Sequence, residues 1–460
     1  MDFKTVISGQ RTYFQTGVTR PVEFRRAQLR KLLLALESFE PALLGALHQD
    51  LGKSACEAYA SELGLVQGEI RHAIRHLRAW AKPQARRTPL LLWPARSFIR
   101  PDPYGVALIM GPWNYPVQLL LLPLVGAMAA GNCAVLKASE SAPHTSAVLA
   151  RLCDATFAKE YITVVEGRRD VAEALLRLNF DTIFFTGSTN VGRIVLAKAA
   201  EELIPVTLEL GGKCPCLVCA DAPLATAARR IAWGKFLNAG QTCVAPDYVL
   251  VDRRVAADFT ASLIEAIRSF YGDEPRHSLD YSRIINRQHL DRLRGYLGSG
   301  RIACGGQYDV DSLFMAPTVL TDVPVDAPVM QDEIFGPILP VLEVASIEEA
   351  LTFLRHRPAP LALYLFTRDR ATEHRVLMET RSGGVAINDT VSHIIGPHLP
   401  FGGLGKSGMG AYHGQATFDC FSHQRSVLRR SLALDPKMRY PPQRLTITAL
   451  KRIYRVLLGR

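Results

Sequence analysis

Short apolar runs alternate with stretches of helical periodicity through most of this chain, and that alternation gives the first outline of its fold. From about Arg25 to Lys82, apolar residues recur at helical spacing with few breakers, which predicts amphipathic helices. Pro83 to Pro103 then brings Pro83, Pro89, Pro94, Pro101 and Pro103 among several arginines, a connector or an extended arm. Beyond it, Gly105-Val-Ala-Leu-Ile-Met110, Cys133 to Leu136, Ile162 to Val165 and Thr182-Ile-Phe-Phe185 read as buried strands. Helices are expected between them, after Tyr115 and from about Ser146 to Phe157. This order predicts a parallel sheet covered on both faces. A second series from about Gly211 to Asn388, with strands at Tyr248 to Val251 and Leu361 to Phe366, predicts a second α/β domain. Pro116 to Leu136 is apolar enough to resemble a membrane span. Gln118, Pro123, Gly126, Gly131 and Asn132 interrupt it, whereas a span wants about 20 predominantly apolar residues in a row, so a buried helix followed by a strand fits better.

The length of 460 residues suggests two or three domains of roughly 100–200 residues each. At 48% hydrophobic and 21% charged, the composition is that of an ordinary globular protein rather than a disordered or repetitive one. Nine cysteines, an odd number, are scattered from Cys56 to Cys420, and Met-Asp-Phe-Lys-Thr is not a secretion signal, so a reducing cytoplasmic location is expected. Charge changes the picture by its position. Arg425 to Arg460 carries ten basic residues against Asp435 alone, a net +9 of the formal +11. A nearly neutral body argues against nucleic-acid binding and for a specialised tail. On a helix, Ile447, Leu450, Ile453, Tyr454, Leu457 and Leu458 would share one face, with Lys451, Arg452 and Arg455 on the other. Such a tail either packs on its own protein or a partner subunit, or lies peripherally on an anionic membrane.

Candidate chemistry centres on Phe236-Leu-Asn-Ala-Gly-Gln-Thr-Cys243 and on Glu209 in Val206-Thr-Leu-Glu-Leu210. The first closes a glycine- and amide-rich turn after a helical run, so Cys243 can sit at an exposed backbone corner, as a nucleophile requires. In the second, Val206, Leu208 and Leu210 alternate onto one strand face and leave Glu209 on the other. Taken alone, the pair reads more readily as a buried structural cysteine and a salt-bridged glutamate, since short motifs match by chance. Phe185-Thr-Gly-Ser-Thr-Asn-Val-Gly-Arg193 passes from strand to helix, where glycine and helix N–H groups suit a phosphate, though a plain turn accounts for it too. Lys137 and Glu140 follow another strand end, at the edge where open α/β sheets bind nucleotides. There a carboxylate would accept ribose hydroxyls and repel a 2′-phosphate; ordinary surface charge is the alternative.

Gly111-Pro-Trp-Asn-Tyr-Pro116, Phe185-Thr-Gly-Ser188, Leu208-Glu-Leu-Gly-Gly212, Asn238-Ala-Gly-Gln-Thr-Cys243, Glu333-Ile-Phe-Gly-Pro337, Pro400-Phe-Gly-Gly-Leu-Gly-Lys-Ser-Gly408 and Tyr412-His-Gly414 together resemble the aldehyde dehydrogenase superfamily, its class 3 branch in particular. The resemblance runs to about Arg430. It implies an α/β fold: a Rossmann-type cofactor domain from residues 1–82 and 104–210, a catalytic domain from 211–395, and a bridging or oligomerisation element from 83–103 and 396–430. A basic tail follows over 431–460. It further implies oxidation of aldehydes to carboxylic acids, with Cys243 as nucleophile, Asn114 and the Cys243 N–H as oxyanion donors, and Glu209 as the base that activates water. A helix end and the cofactor's charge are expected to favour the thiolate. Cofactor contacts carry over to Trp113, Lys137, Glu140, Gly187, Ser188, Gly192, Glu333 and Phe335, with NAD expected and NADP also used by class 3 relatives. The substrate wall carries over to Tyr115, Leu119, Leu237, Val391, Ile394 and Ile395, which suits apolar aliphatic or aromatic aldehydes rather than charged semialdehydes. His393 reads either as a polar exception in that wall or, more readily, as a loop residue facing solvent. A homodimer is implied. Acyl transfer to CoA and a non-enzymatic binding role are the rival readings; the presence of Glu209 speaks against the first and the intact site against the second.

No metal is expected. Cys214-Pro-Cys-Leu-Val-Cys219 continues a strand and lacks a second ligand half. His72 and His76 share a helix face, but Ala73 stands where a zinc protease needs its glutamate.

Overall fold

The computed structural model describes residues 2–435, 439–442 and 445–458. Two parallel sheets and one antiparallel ribbon organise them. The first sheet has six strands in the order Gly408–Met409, Val206–Glu209, Thr182–Thr186, Val106–Met110, Cys133–Lys137 and Ile162–Val165. All pair in parallel except Gly408–Met409. Every residue of Val106–Met110, Cys133–Lys137 and Thr182–Thr186 is buried, as the uninterrupted apolar runs require of strands covered on both faces. The order is that of a Rossmann-type sheet, and its switch point lies between Val106–Met110 and Thr182–Thr186.

The second sheet has seven strands, in the order Arg301–Cys304, Thr318–Thr321, Ile338–Val344, Tyr248–Asp252, Pro215–Val218, Ala362–Phe366 and Gly384–Ile387. Only Arg301–Cys304 runs antiparallel. The chain crosses from the carboxyl end of Val206–Glu209 to the amino end of Pro215–Val218, so the carboxyl edge of one sheet faces the amino edge of the other. That opposition positions the candidate site.

The apolar stretch around Pro116 to Leu136 is the helix Gln118–Ala130 followed by the strand Cys133–Lys137; all 13 helix residues are buried. Gly126 lets another helix, Gln415–Cys420, lie against it: a Cβ there would come within 2.1 Å of Thr417 Cγ2. Among the described residues no helix is long and apolar enough to cross a membrane.

Gln84–Arg86, Ala95–Pro103 and Ser422–Arg430 form the antiparallel ribbon, the last two in register from Ser422 opposite Pro103 to Arg430 opposite Ala95. The stretch 396–430 is less uniform than expected for a bridging element. Its Gly408–Met409 extends the first sheet and its Gln415–Cys420 packs on that sheet's buried helix, leaving only Ser422–Arg430 to the ribbon. The tail does form a helix, Ile447–Leu458, packed against Leu90–Leu92. Its apolar face is divided: Leu450, Ile453 and Leu457 are half-buried, whereas Ile447 and Tyr454 are exposed. The side chain of Leu458, and Lys437, Arg444 and Arg460, lie outside the described residues.

Candidate active site

Cys243 sits on the loop between the helix Leu224–Phe236 and the strand Tyr248–Asp252. The loop begins with Asn238 and Ala239 consecutively in the left-handed region, both at φ 51°, which costs roughly 1–2 kcal/mol for each non-glycine residue. Hydrogen bonds hold it there. The Asn238 N–H donates to Glu57 Oε1 at 2.9 Å, and Asn238 Nδ2 donates to Asn114 O at 2.9 Å and Gln241 O at 3.2 Å. Gln241, fully buried, donates from Nε2 to Arg283 O at 2.9 Å and accepts the Ile285 N–H at 3.0 Å. Gly240 passes so close to Gly336 O that a Cβ would come within 2.2 Å of it. Glycine and amides recur in this motif because the turn needs them.

Two cavities meet at Cys243. One, of about 580 Å³, is lined by Tyr115, Leu119, Leu237, Val391, Ile394 and Ile395, all the wall residues expected from sequence. Trp233, Phe270, Tyr271 and Cys56 extend it, and those residues belong to no motif. Tyr115 is anchored through its hydroxyl to Thr242 Oγ1 at 2.6 Å. The other cavity, of about 490 Å³, is lined by Trp113, Asn114, Gly187, Ser188, Glu209, Glu333 and Phe335. Leu119, Phe401 and Tyr412 border both. His289 and Arg292, absent from the sequence reading, close the second cavity; the Trp113 ring lies 5.0 Å from His289 and 5.3 Å from Phe335.

Cys243 is half-buried between these spaces, not at an open corner. Its thiol is pushed up, first by burial and then by the Glu333 and Glu209 carboxyl groups, while its own and Val244's backbone N–H groups pull the other way. The expected helix-end stabilisation of the thiolate is thus outweighed by desolvation. Glu209, 2% exposed, is also pushed well up by burial, and neither of its oxygens has a hydrogen-bond partner. Glu333 is raised to about 8, by burial and then by the charge of Asp247. It receives the Gly212 N–H on one side, while its Oε1 is unpartnered. Gly211 has to be glycine here, since a Cβ would fall 1.9 Å from Glu333 Oε2.

Asn114, 3% exposed, donates from Nδ2 to Gln241 O at 3.0 Å and lines the second cavity. Ser188 caps the helix Thr189–Glu201, accepting the Val191 N–H at 3.4 Å, and the Gly187 N–H donates to Glu209 O at 3.0 Å. Gly192 does not line the cavity: it is buried one turn into that helix, where a Cβ would meet Leu210 Cδ2 at 2.6 Å, so its lack of a side chain serves packing. Lys137 and Glu140 also lie outside the cavity lining. They form an ion pair of 3.2 Å just past the strand Cys133–Lys137.

His393 is not solvent-facing. Its ring packs between Tyr364 at 5.9 Å and Phe401 at 6.2 Å, neither nitrogen has a partner, and burial lowers it to about 4. Cys216 is buried in the strand Pro215–Val218 and Cys214 is buried just ahead of it, where its Sγ donates to Cys243 O at 3.4 Å and braces the Cys243 backbone. His76 stacks on Trp80, and the His72 ring packs tilted against both.

The second cavity suits a nicotinamide dinucleotide. It pairs unpartnered carboxylate oxygens, able to accept ribose hydroxyls, with a strand-to-helix turn whose backbone can meet a pyrophosphate. The sequence profile of the aldehyde dehydrogenase family matches residues 1–427. The chain is 46% identical over 447 residues to a 4,4'-diaponeurosporen-aldehyde dehydrogenase of Staphylococcus aureus, with 97% of each chain covered. It is 45% identical to the dimeric NADP-preferring aldehyde dehydrogenase of Rattus norvegicus, covering 94% of this chain and 96% of that one. A solved substrate-bound structure of Staphylococcus aureus AldH superposes with a TM-score of 0.97 at 45% identity, over 99% of this chain and 100% of that one. The chain belongs to the aldehyde dehydrogenase family. It is an oxidoreductase that converts aldehydes to carboxylic acids with NAD or NADP.

Proposed function

We propose that the substrates are apolar aliphatic or aromatic aldehydes and that the reaction runs through a Cys243 thiohemiacetal and thioester. The observation that carries this is the placement of Cys243 at the junction of an apolar cavity with one bearing unpartnered Glu209 and Glu333. An aldehyde lies in the first cavity with its carbonyl at the sulfur. Cys243 gives up its proton to solvent water and the thiolate attacks the carbonyl carbon; the Asn114 amide and the Cys243 N–H receive the oxyanion. Losing one such donor typically costs on the order of 10²–10³ in rate. The nicotinamide, when bound in the second cavity, supplies the hydride acceptor. Glu209 then takes a proton from water, the hydroxide adds to the thioester, and the acid leaves as the thiol reforms. Glu209's lack of competing hydrogen bonds suits it to that water.

Glu333 would accept the hydroxyls of the nicotinamide-side ribose, with Trp113 and Phe335 alongside. Gly187 and Ser188 would face the pyrophosphate, and Lys137 and Glu140 the adenosine-side ribose. Pairing with Lys137 tempers Glu140's repulsion of a 2′-phosphate, which favours NAD while admitting NADP. The two parallel sheets would serve as cofactor and catalytic domains. The ribbon, rich in exposed backbone edge, would mediate a homodimer in the cytoplasm, and the tail would touch membrane peripherally.

The test is NADH production across aliphatic chain lengths and aromatic aldehydes, repeated with NADP, with CoA supplied, and with Cys243→Ala. Apolar aldehydes should turn over to free acids and the variant should be inactive. Turnover of charged semialdehydes alone, or an undiminished variant, would overturn the proposal.

A further inference from the structure

Lys53 and Glu62 form an ion pair of 2.6 Å with both side chains fully buried, the one such pair among the described residues in which neither side chain has any exposure. Burying two charges costs several kcal/mol per ion before attraction repays it, so such a pair is poor evidence for stability and calls for another account. Its partners supply one. Lys53 Nζ also donates to Asn114 O at 3.0 Å and lies 4.1 Å from the centre of the Tyr115 ring. Glu62 Oε2 accepts the Val117 N–H at 2.8 Å and the Gln118 N–H at 3.3 Å, at the start of the buried helix Gln118–Ala130. One ion pair thus grips the backbone from Asn114 to Gln118, the segment that presents the oxyanion amide and the tunnel tyrosine.

Two local features aim the pair inward. Gly52 ends the helix Val22–Leu51 in the left-handed conformation, φ 65°, turning Lys53 toward the interior. Glu62 lies in a π-helical turn, Tyr59–Leu63, a widened geometry that is rare and frequent at functional sites. Neither Lys53 nor Glu62 lines either cavity.

We infer that Lys53, paired with Glu62, is a positioning residue for the reaction: it fixes the Asn114 backbone so that the side-chain amide meets the oxyanion. The inference rests on Asn114 being the oxyanion donor. Asn114 O also receives Asn238 Nδ2, so Lys53 and the nucleophile turn are tied to one carbonyl, which locks amide and sulfur to each other.

A double-mutant cycle tests this with Lys53→Met, Asn114→Ala and their combination, reading single-turnover acylation, KM for aldehyde and cofactor affinity. Lys53→Met should slow acylation by on the order of 10- to 100-fold, below the full loss of an oxyanion donor. Cofactor affinity should stay unchanged, and in the Asn114→Ala background the same change should cost less than about threefold. Losses that multiply would show a merely structural role and overturn the inference while leaving the oxyanion reading intact. Full acylation by Asn114→Ala alone would remove the oxyanion reading, and the inference with it. Should Lys53→Met fail to fold, Lys53→Met combined with Glu62→Gln removes the uncompensated charge; a folded double variant with the parental acylation rate equally overturns the proposal.

Discussion

A thiol held neutral by its surroundings makes deprotonation of Cys243 a step the site has to drive. Burial, Glu333 and Glu209 all act against the thiolate. Since only the thiolate is nucleophilic, alkylation of Cys243 by iodoacetamide in the cofactor-free protein should still be climbing at about pH 9, above the ordinary thiol pKa of ~8.5. A plateau below about pH 7 would contradict the burial argument. At Glu209 the expectation separates the two half-reactions. Glu209→Gln cannot accept water's proton, so it should give a burst of NADH and then stall as acyl-enzyme, with steady-state turnover lower by on the order of 10²–10⁴. Mass spectrometry of the intact chain should show the acyl group on Cys243; a normal steady state would place the base elsewhere. Cys243, Glu209, Asn114 and Glu333 were legible in sequence because each lies inside a motif. Lys53, Glu57 and Glu62 were not, for they sit in an ordinary-looking helical stretch and acquire meaning only when the fold brings them to Asn114 and Asn238, far along the chain.

Elements hold these residues by close backbone packing and by a few buried polar anchors. The sheet strands were readable because their apolar runs are continuous. The helix Phe3–Gln15 escaped notice since it buries only Ile7 and Gln10, and no periodicity announces a two-residue strand such as Gly408–Met409. One anchor carries a pH signature. Glu69, on the helix Gly64–Trp80, accepts the Gly414 N–H at 2.7 Å, and burial raises it from 4.5 to about 7. Below about 4.5 the carboxyl is neutral in both folded and unfolded chains. Between there and about 7 the folded chain holds a proton the unfolded chain has released, so stability falls as pH rises through that window and stays lower above it. The full penalty is on the order of 3 kcal/mol. Glu69→Gln keeps an acceptor for Gly414 and removes the titration. Its urea midpoint should therefore decline less than that of the parent between about pH 5 and 7.5; parallel curves would show that Glu69 does not titrate in this range.

At the scale of the whole molecule, charge and apolar exposure converge on one end. Most of the formal +11 lies beyond Ser422, on the outer strand of the ribbon and on the tail. The tail helix buries Leu450, Ile453 and Leu457 partly against its own chain, yet leaves Ile447, Tyr454 and Val456 in solvent beside exposed Lys451, Arg452 and Arg455. Packing on Leu90–Leu92 therefore satisfies only part of its apolar surface. Three basic side chains near an anionic leaflet contribute about 1 kcal/mol each, and the exposed apolar residues add to that by insertion. The intact protein should float with anionic vesicles and much less with neutral ones, and salt of about 0.5 M should weaken the association because the charge component is screened. A chain ending at Pro442 should stay in the soluble fraction and keep its activity on short aldehydes, since neither cavity includes a tail residue. Equal recovery of both forms from the soluble fraction would mean that the helix does not bind membrane and that its packing on Leu90–Leu92 is the contact it makes.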